Sequence, residues 1–241
     1  MKKSAYLIFV IVLLFSIQCL VFAQDTGADA AMLKLVDSKL DLMIYEDPIL
    51  FLVFENTASV PMVIGYEWDD VEDPSVTLLD DVGNELEVVH DIETFPSTIM
   101  PGEKGYAAVE FWNIPEGAKP VDYKVTFTGV EDENPPVARV YMDATVAVEY
   151  LDPPYNEYRG LVATVSNPTD YPYFLDDGYI VLLDQEGKLV FFEGFYSLYG
   201  VSIIPGNSVK TLVREIYDDE EFLKAVDYEK SIIKVWFDIN E

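Results

Sequence analysis

The chain has 241 residues, half of them apolar and 14% aromatic, too much hydrophobic material for a disordered tail. Its 44 Asp and Glu outnumber 15 Lys and Arg, for a formal charge of −29. A field of that sign repels phosphate backbones and anionic lipid surfaces, which excludes nucleic acid and leaves basic proteins, cations and neutral ligands as partners.

Lys2 and Lys3 precede an apolar run from Ala5 to Phe15, which leads to Val21-Phe22-Ala23. A charged start, an apolar stretch and a small-residue site make a secretory signal peptide over 1–23, cleaved after Ala23. An exported protein is therefore expected, in the periplasm, at the cell surface or outside the cell. The run is shorter than the roughly 20 apolar residues of a spanning helix, so no integral membrane span is expected in the mature chain. Cys19, the only cysteine, lies inside this segment, and Ser16-Ile17-Gln18 before it fits a lipid-attachment site poorly. Lipidation at Cys19 is the lesser alternative to cleavage. Removal of residues 1–23 leaves 241 − 23 = 218 residues, no cysteine and a formal charge of 13 − 44 = −31. Disulfides and thiol chemistry are then excluded, and stability must come from burial.

From there the chain reads as strands. Leu40, Leu42 and Ile44 alternate with Asp41 and Met43, and Leu50, Leu52 and Phe54 with Phe51, Val53 and Glu55. Val76 and Leu78 run into the tight turn Asp80-Asp81-Val82-Gly83, and Leu161–Val165 and Tyr179–Leu183 are β-branched or aromatic runs of strand length. Turn residues fall every 8–12 positions, the spacing of a sandwich with seven or eight strands per unit. One short helix is expected over 219–226, capped by Asp218.

The chain also repeats itself. Tyr45-Glu46-Asp47-Pro48 matches Tyr150-Leu151-Asp152-Pro153, Leu78-Leu79-Asp80 with Gly83 matches Leu182-Leu183-Asp184 with Gly187, and Pro101-Gly102 matches Pro205-Gly206. Val125-Thr126-Phe127 corresponds to Val235-Trp236-Phe237, and Asn56 and Asn167 each close an apolar run. The first copy carries a longer loop, Glu67-Trp68-Asp69-Asp70-Val71-Glu72-Asp73-Pro74. Glu131-Asp132-Glu133-Asn134-Pro135-Pro136 reads as a short stiff linker, dividing the chain into a first β-sandwich unit over 24–133 and a second over 134–241. The expected fold is all-β, two tandem immunoglobulin-like β-sandwich domains related by internal duplication.

The recurring unit, with Thr77-Leu78-Leu79-Asp80 and Gly83, Val181-Leu182-Leu183-Asp184 and Gly187, and the two Pro-Gly corners, resembles the FxLYD-type immunoglobulin-like domains of bacterial exported proteins. Leu stands in both copies where that pattern has Tyr before the Asp. The resemblance implies a fold and not an activity. In physical terms the aspartates close turns on backbone N–H groups, the glycines supply φ > 0, and both are structural.

Catalytic sets are missing. His90 is the only histidine, and no Gly-x-Ser-x-Gly elbow, His-Glu-x-x-His or phosphate loop occurs. The expectation is a non-enzymatic protein that binds a protein or glycan partner at the cell envelope, without a cofactor. Its candidate ligand-binding residues are loop tyrosines of the second copy: Tyr155, Tyr158, Tyr171, Tyr173, Tyr196 and Tyr199. Asp69, Asp70, Glu72 and Asp73 in the longer loop are the candidate metal ligands, with calcium as the ion weighed for such an oxygen set and a solvated acidic loop as the favoured reading. The leading reading is a protein-partner module; the alternative is a carbohydrate-binding module assisted by calcium.

Overall fold

The computed structural model describes residues 33–42, 47–150, 159–174, 177–196, 203–216 and 225–239. The described chain is all-β. Its first half contains β1 (Leu33–Asp41), β2 (Ile49–Asn56), β3 (Met62–Ile64), β4 (Ser75–Leu79), β5 (Glu85–Val89), β6 (Lys104–Glu110), β7 (Asp122–Thr126) and β8 (Gly129–Glu131). Its second half contains β9 (Ala138–Tyr141), β10 (Asp143–Tyr150), β11 (Arg159–Asn167), β12 (Tyr173–Phe174), β13 (Asp177–Leu183), β14 (Leu189–Tyr196), β15 (Ile203–Ile204), β16 (Ser208–Ile216) and β17 (Ile232–Ile239). Every pairing is antiparallel.

Strand order is the same in both halves. Sheet β1-β2-β6 corresponds to β10-β11-β16, and β5-β4-β7 to β14-β13-β17, with β9 added at the edge of the last. The pairing of Met62 with Ile99 corresponds to that of Tyr173 with Ile204. Register revises one sequence match: Val125 stands opposite Val76 and Ile233 opposite Ile180, so Ile233, not Val235, holds the rung of Val125. Of the expected helix over 219–226, only Ala225 and Val226 are described, and Val226 forms a bridge with Asp184.

Local chemistry explains the two matched hairpins. The Asp80 Oδ1 atom accepts the N–H groups of Val82 and Asn84 at 3.0 and 2.8 Å, while Gly83 takes φ 86°. The Asp184 Oδ1 atom accepts those of Glu186 and Lys188, both at 2.8 Å, and Gly187 takes φ 80°. Glycine is required there because other residues reach that backbone region only with strain. At the Pro-Gly corners the halves diverge. Gly102 has φ 76°, whereas in the second half Asn207 takes the positive angle, φ 53°, and Gly206 is needed because a Cβ would lie 2.5 Å from the Asp170 backbone.

Both hairpin aspartates are held below the usual carboxylate range, Asp80 mainly by the Asn84 side-chain bond and Asp184 mainly by the Lys188 N–H. A depressed folded value means that the turns contribute fully above the ordinary carboxylate pKa of about 4 and lose that contribution as the pH falls through the folded value. Asp80→Asn/Asp184→Asn keeps in each turn the one oxygen that accepts the two backbone N–H groups, gives up the second oxygen that Asn84 bonds at Asp80, and removes the titration. The variant is expected to lose less stability than the wild type between about pH 5 and pH 3, measured by denaturant unfolding; identical losses would contradict the assignment.

Asn56 and Asn167, both buried, do matched work at the ends of β2 and β11. The Asn56 amide donates to the carbonyls of Val60 at 2.8 Å and Ile99 at 2.7 Å, and its oxygen accepts the Ala58 N–H at 2.8 Å. Asn167 donates to Tyr171 at 2.8 Å and Ile204 at 3.0 Å and accepts from Thr169 at 3.0 Å. Each amide thus satisfies backbone groups of a loop that would otherwise be buried without partners.

One of the two core clusters belongs to the first half and the other spans both. Leu50, Leu52 and Phe54 point into the first unit, against Val76, Leu78, Ala107, Val109 and Val125. Their neighbours Ile49, Phe51 and Val53 point the other way and share a cluster with Tyr179, Phe191, Phe192 and Trp236 of the second unit. β2 is therefore buried on both faces, and β14 lies against β1, β2 and β6. Across this contact Phe51 meets Phe191 edge-on at 5.7 Å, and Tyr106 lies 5.0 Å from Tyr179 and 5.7 Å from Phe192. Gly194 completes it, since a Cβ there would stand 2.7 Å from the Phe95 ring. Burial pushes Tyr106 up to about 12 and Tyr179 above its usual value as well, so both stay protonated.

Equivalent positions differ in size and polarity, although Thr77 is itself buried. Ser75, Thr77 and Val88 of β4 and β5 hold the rungs of Tyr179, Val181 and Phe192 in β13 and β14. The covered face carries large apolar groups, and the corresponding face of the first unit carries smaller or polar ones.

The segment read as a linker is tied to the first unit. Glu131 lies in β8 opposite Met62, the Asp132 N–H donates to Pro61, and Asp132 accepts the Thr98 hydroxyl at 2.5 Å. Just beyond it, Arg139 on β9 reaches back. Its Nη1 donates to Glu103 and to the Thr98 carbonyl, both at 3.0 Å, and its guanidinium lies 5.1 Å from the Trp236 ring centroid.

Candidate functional site

The longer loop of the first unit runs from β3 to β4 and is built around a short 3-10 turn, Glu67–Asp69. Two of its carboxylates shape the loop itself. Asp69 Oδ2 accepts the Tyr66 N–H at 2.9 Å, and Asp73 Oδ1 accepts the Glu67 N–H at 2.7 Å. Asp70 ends the turn with φ 58°, a left-handed angle that Asp tolerates better than most residues.

This closure holds Trp68 flat on Tyr66, with ring centroids 4.6 Å apart and planes 10° from parallel. Tyr66 is fixed from below: its hydroxyl donates to Asp91 Oδ1 and the Ile92 carbonyl, both at 3.2 Å. Burial first, and then the Asp91 carboxylate, push its hydroxyl up to about 12, so it remains a donor. Trp68 is 78% exposed. One face of the indole rests on the tyrosine and the rest of the ring meets solvent, an apolar platform on a hydrogen-bonded support. An exposed tryptophan in this setting is the residue type that anchors partners.

The sequence-derived candidates are placed differently. Asp69, Asp70, Glu72 and Asp73 all lie in this loop, yet among the described residues no three Asp, Glu, His or Cys side chains come together as an ion site. Asp69 and Asp73 turn to backbone N–H groups instead, so the loop is a turn closed by its carboxylates. Of the tyrosines, Tyr171 is 73% exposed, on the loop that Asn167 pins. Tyr173 pairs with Ile204 and Tyr196 with Asp177, in different sheets, so the fold does not gather them in one. Tyr155, Tyr158 and Tyr199 lie outside the described residues. His90 is exposed just past β5.

Tyr66 and Trp68 were not among the residues that the sequence singled out as binding groups. The available signal was a tryptophan inside a loop that is longer than the connection at the matching place in the second half. Among the described residues no helix is long and apolar enough to cross a membrane. No protein-family model matches the chain, and no curated protein matches it in sequence.

Proposed function

We propose that the chain is an exported, non-enzymatic binding protein, made of two duplicated immunoglobulin-like units joined into one body, that engages a protein partner at the cell envelope. The observation that carries this reading is Trp68, exposed and stacked on Tyr66 in the β3–β4 loop, which the sequence makes longer in the first copy than in the second. Export is supported by Lys2-Lys3, the apolar run and Val21-Phe22-Ala23, and duplication by the matched sheet orders, hairpins and buried asparagines. The absence of a nucleophile–base set in the sequence supports a binding role over chemistry. The wild-type chain is expected to recover an envelope protein by cross-linking, and Trp68→Ala to lose it while unfolding at an unchanged denaturant concentration. Recovery of no partner, or equal recovery by the variant, counts against the proposal.

Exposed Tyr171 favours a second reading, a carbohydrate-binding face on the second unit. Tyr171→Ala/Tyr196→Ala should then abolish retention on a glycan column; unchanged retention disposes of it.

A further inference from the structure

Three properties of the Tyr66–Trp68 platform restrict what it can hold. The first is the indole itself, stacked below and open above, whose π face attracts a cation. The second is the polarity of its rim. Residues 66–74 contain Glu67, Asp69, Asp70, Glu72 and Asp73 and no Lys, Arg or His, and Asp91 and Glu93 raise the Tyr66 value from the neighbouring segment. Ionised carboxylates only accept hydrogen bonds. A sugar hydroxyl both donates and accepts, so such a rim serves half of its needs, whereas a cation that carries N–H groups, a guanidinium or an alkylammonium, only donates and matches it fully. The third is the overall charge of −29, which draws basic segments in and repels acidic ones.

Among cations a guanidinium suits the geometry best. It is planar, stacks on an aromatic face and forks to carboxylates, while an ammonium is a compact, strongly hydrated point. The molecule already contains one such arrangement. Arg139 lies 5.1 Å from the Trp236 ring centroid while bonding Glu103 at 3.0 Å.

The geometry points to an arginine side chain, presented by a basic segment of the partner, as the group that lies on Trp68. This rests on the binding reading above and names the chemistry of its partner. The indole carries the inference; the acidic rim only selects the sign of the charge.

The test titrates the full chain with fluorescein-labelled hexa-arginine and hexalysine in buffers of rising ionic strength and follows anisotropy. Hexa-arginine is expected to bind several-fold more tightly than hexalysine. Trp68→Ala should weaken hexa-arginine about ten-fold, the scale of one partly desolvated cation–π contact, with little effect on hexalysine. Trp112→Ala, at a tryptophan that is itself 66% exposed, should change neither. Equal loss of both peptides on raising salt, with no dependence on Trp68, would reduce the binding to diffuse charge and overturn the inference. A second arm separates this failure from that of the binding reading. If Trp68→Ala abolishes cross-linked recovery of a partner, or retention on neutral glycans, yet leaves hexa-arginine unaffected, the loop is a binding site and the arginine assignment is wrong.

Discussion

Phe51→Ala lowers the stability of the whole chain by about 4 kcal/mol, the middle of the range for removing a buried aromatic ring. Phe51 is 1% exposed, and its ring is shared between the units, edge-on to Phe191 at 5.7 Å and clustered with Phe192, Tyr179 and Trp236. If β2 faced solvent on that side, as an alternating outer strand would, the same substitution would change stability by no more than about 0.5 kcal/mol. The denaturant midpoint read by circular dichroism distinguishes the two, and a surface-sized effect would contradict the shared cluster.

Arg139→Met has the second largest expected effect, a loss of about 3 kcal/mol. The methionine keeps much of the stem but removes the cation from a side chain that is only 4% exposed. Glu103 then sits in a poorly hydrated place without its counter-charge, the Thr98 carbonyl loses a donor, and Trp236 loses the guanidinium. Because the damage comes largely from the carboxylate left behind, Arg139→Met/Glu103→Gln should be more stable than Arg139→Met alone. A double variant less stable than the single one would show that the pair is not coupled.

Much of the fold was legible because it is local. The Asp80 and Asp184 hairpins follow from an aspartate that accepts N–H groups two and four residues on and a glycine that takes the left-handed angle, and both signals are contiguous in the chain. The buried asparagines were visible as polar ends of apolar runs. The packing of the units against each other was harder to read. Its trace is the unbroken run Ile49-Leu50-Phe51-Leu52-Val53-Phe54, which marks a strand covered on both faces. Read as alternation, only one half of that run is assigned to a core. The contrast of Ser75 and Thr77 with Tyr179 and Val181 carries the same message, yet it becomes meaningful only once the register is known.

The place of the candidate loop was legible in the sequence, and the contacts of its side chains were not. The extra loop stood out as an insertion, and its carboxylates suggested an ion. The Tyr66 and Glu67 N–H groups donate to Asp69 and Asp73, so these two carboxylates close the loop that carries Trp68. Nothing in the composition distinguishes a carboxylate that binds an ion from one that closes a turn; only the direction of the side chain does.

A core cluster shared between the two units couples their unfolding. Differential scanning calorimetry of residues 24–241 tests this most directly. One transition is expected, with calorimetric and van't Hoff enthalpies equal, and Phe51→Ala should move it as a whole. Two resolved transitions, with Phe51→Ala shifting only the one that belongs to residues 24–133, would mean that the units are independent and that the shared cluster does not hold them together.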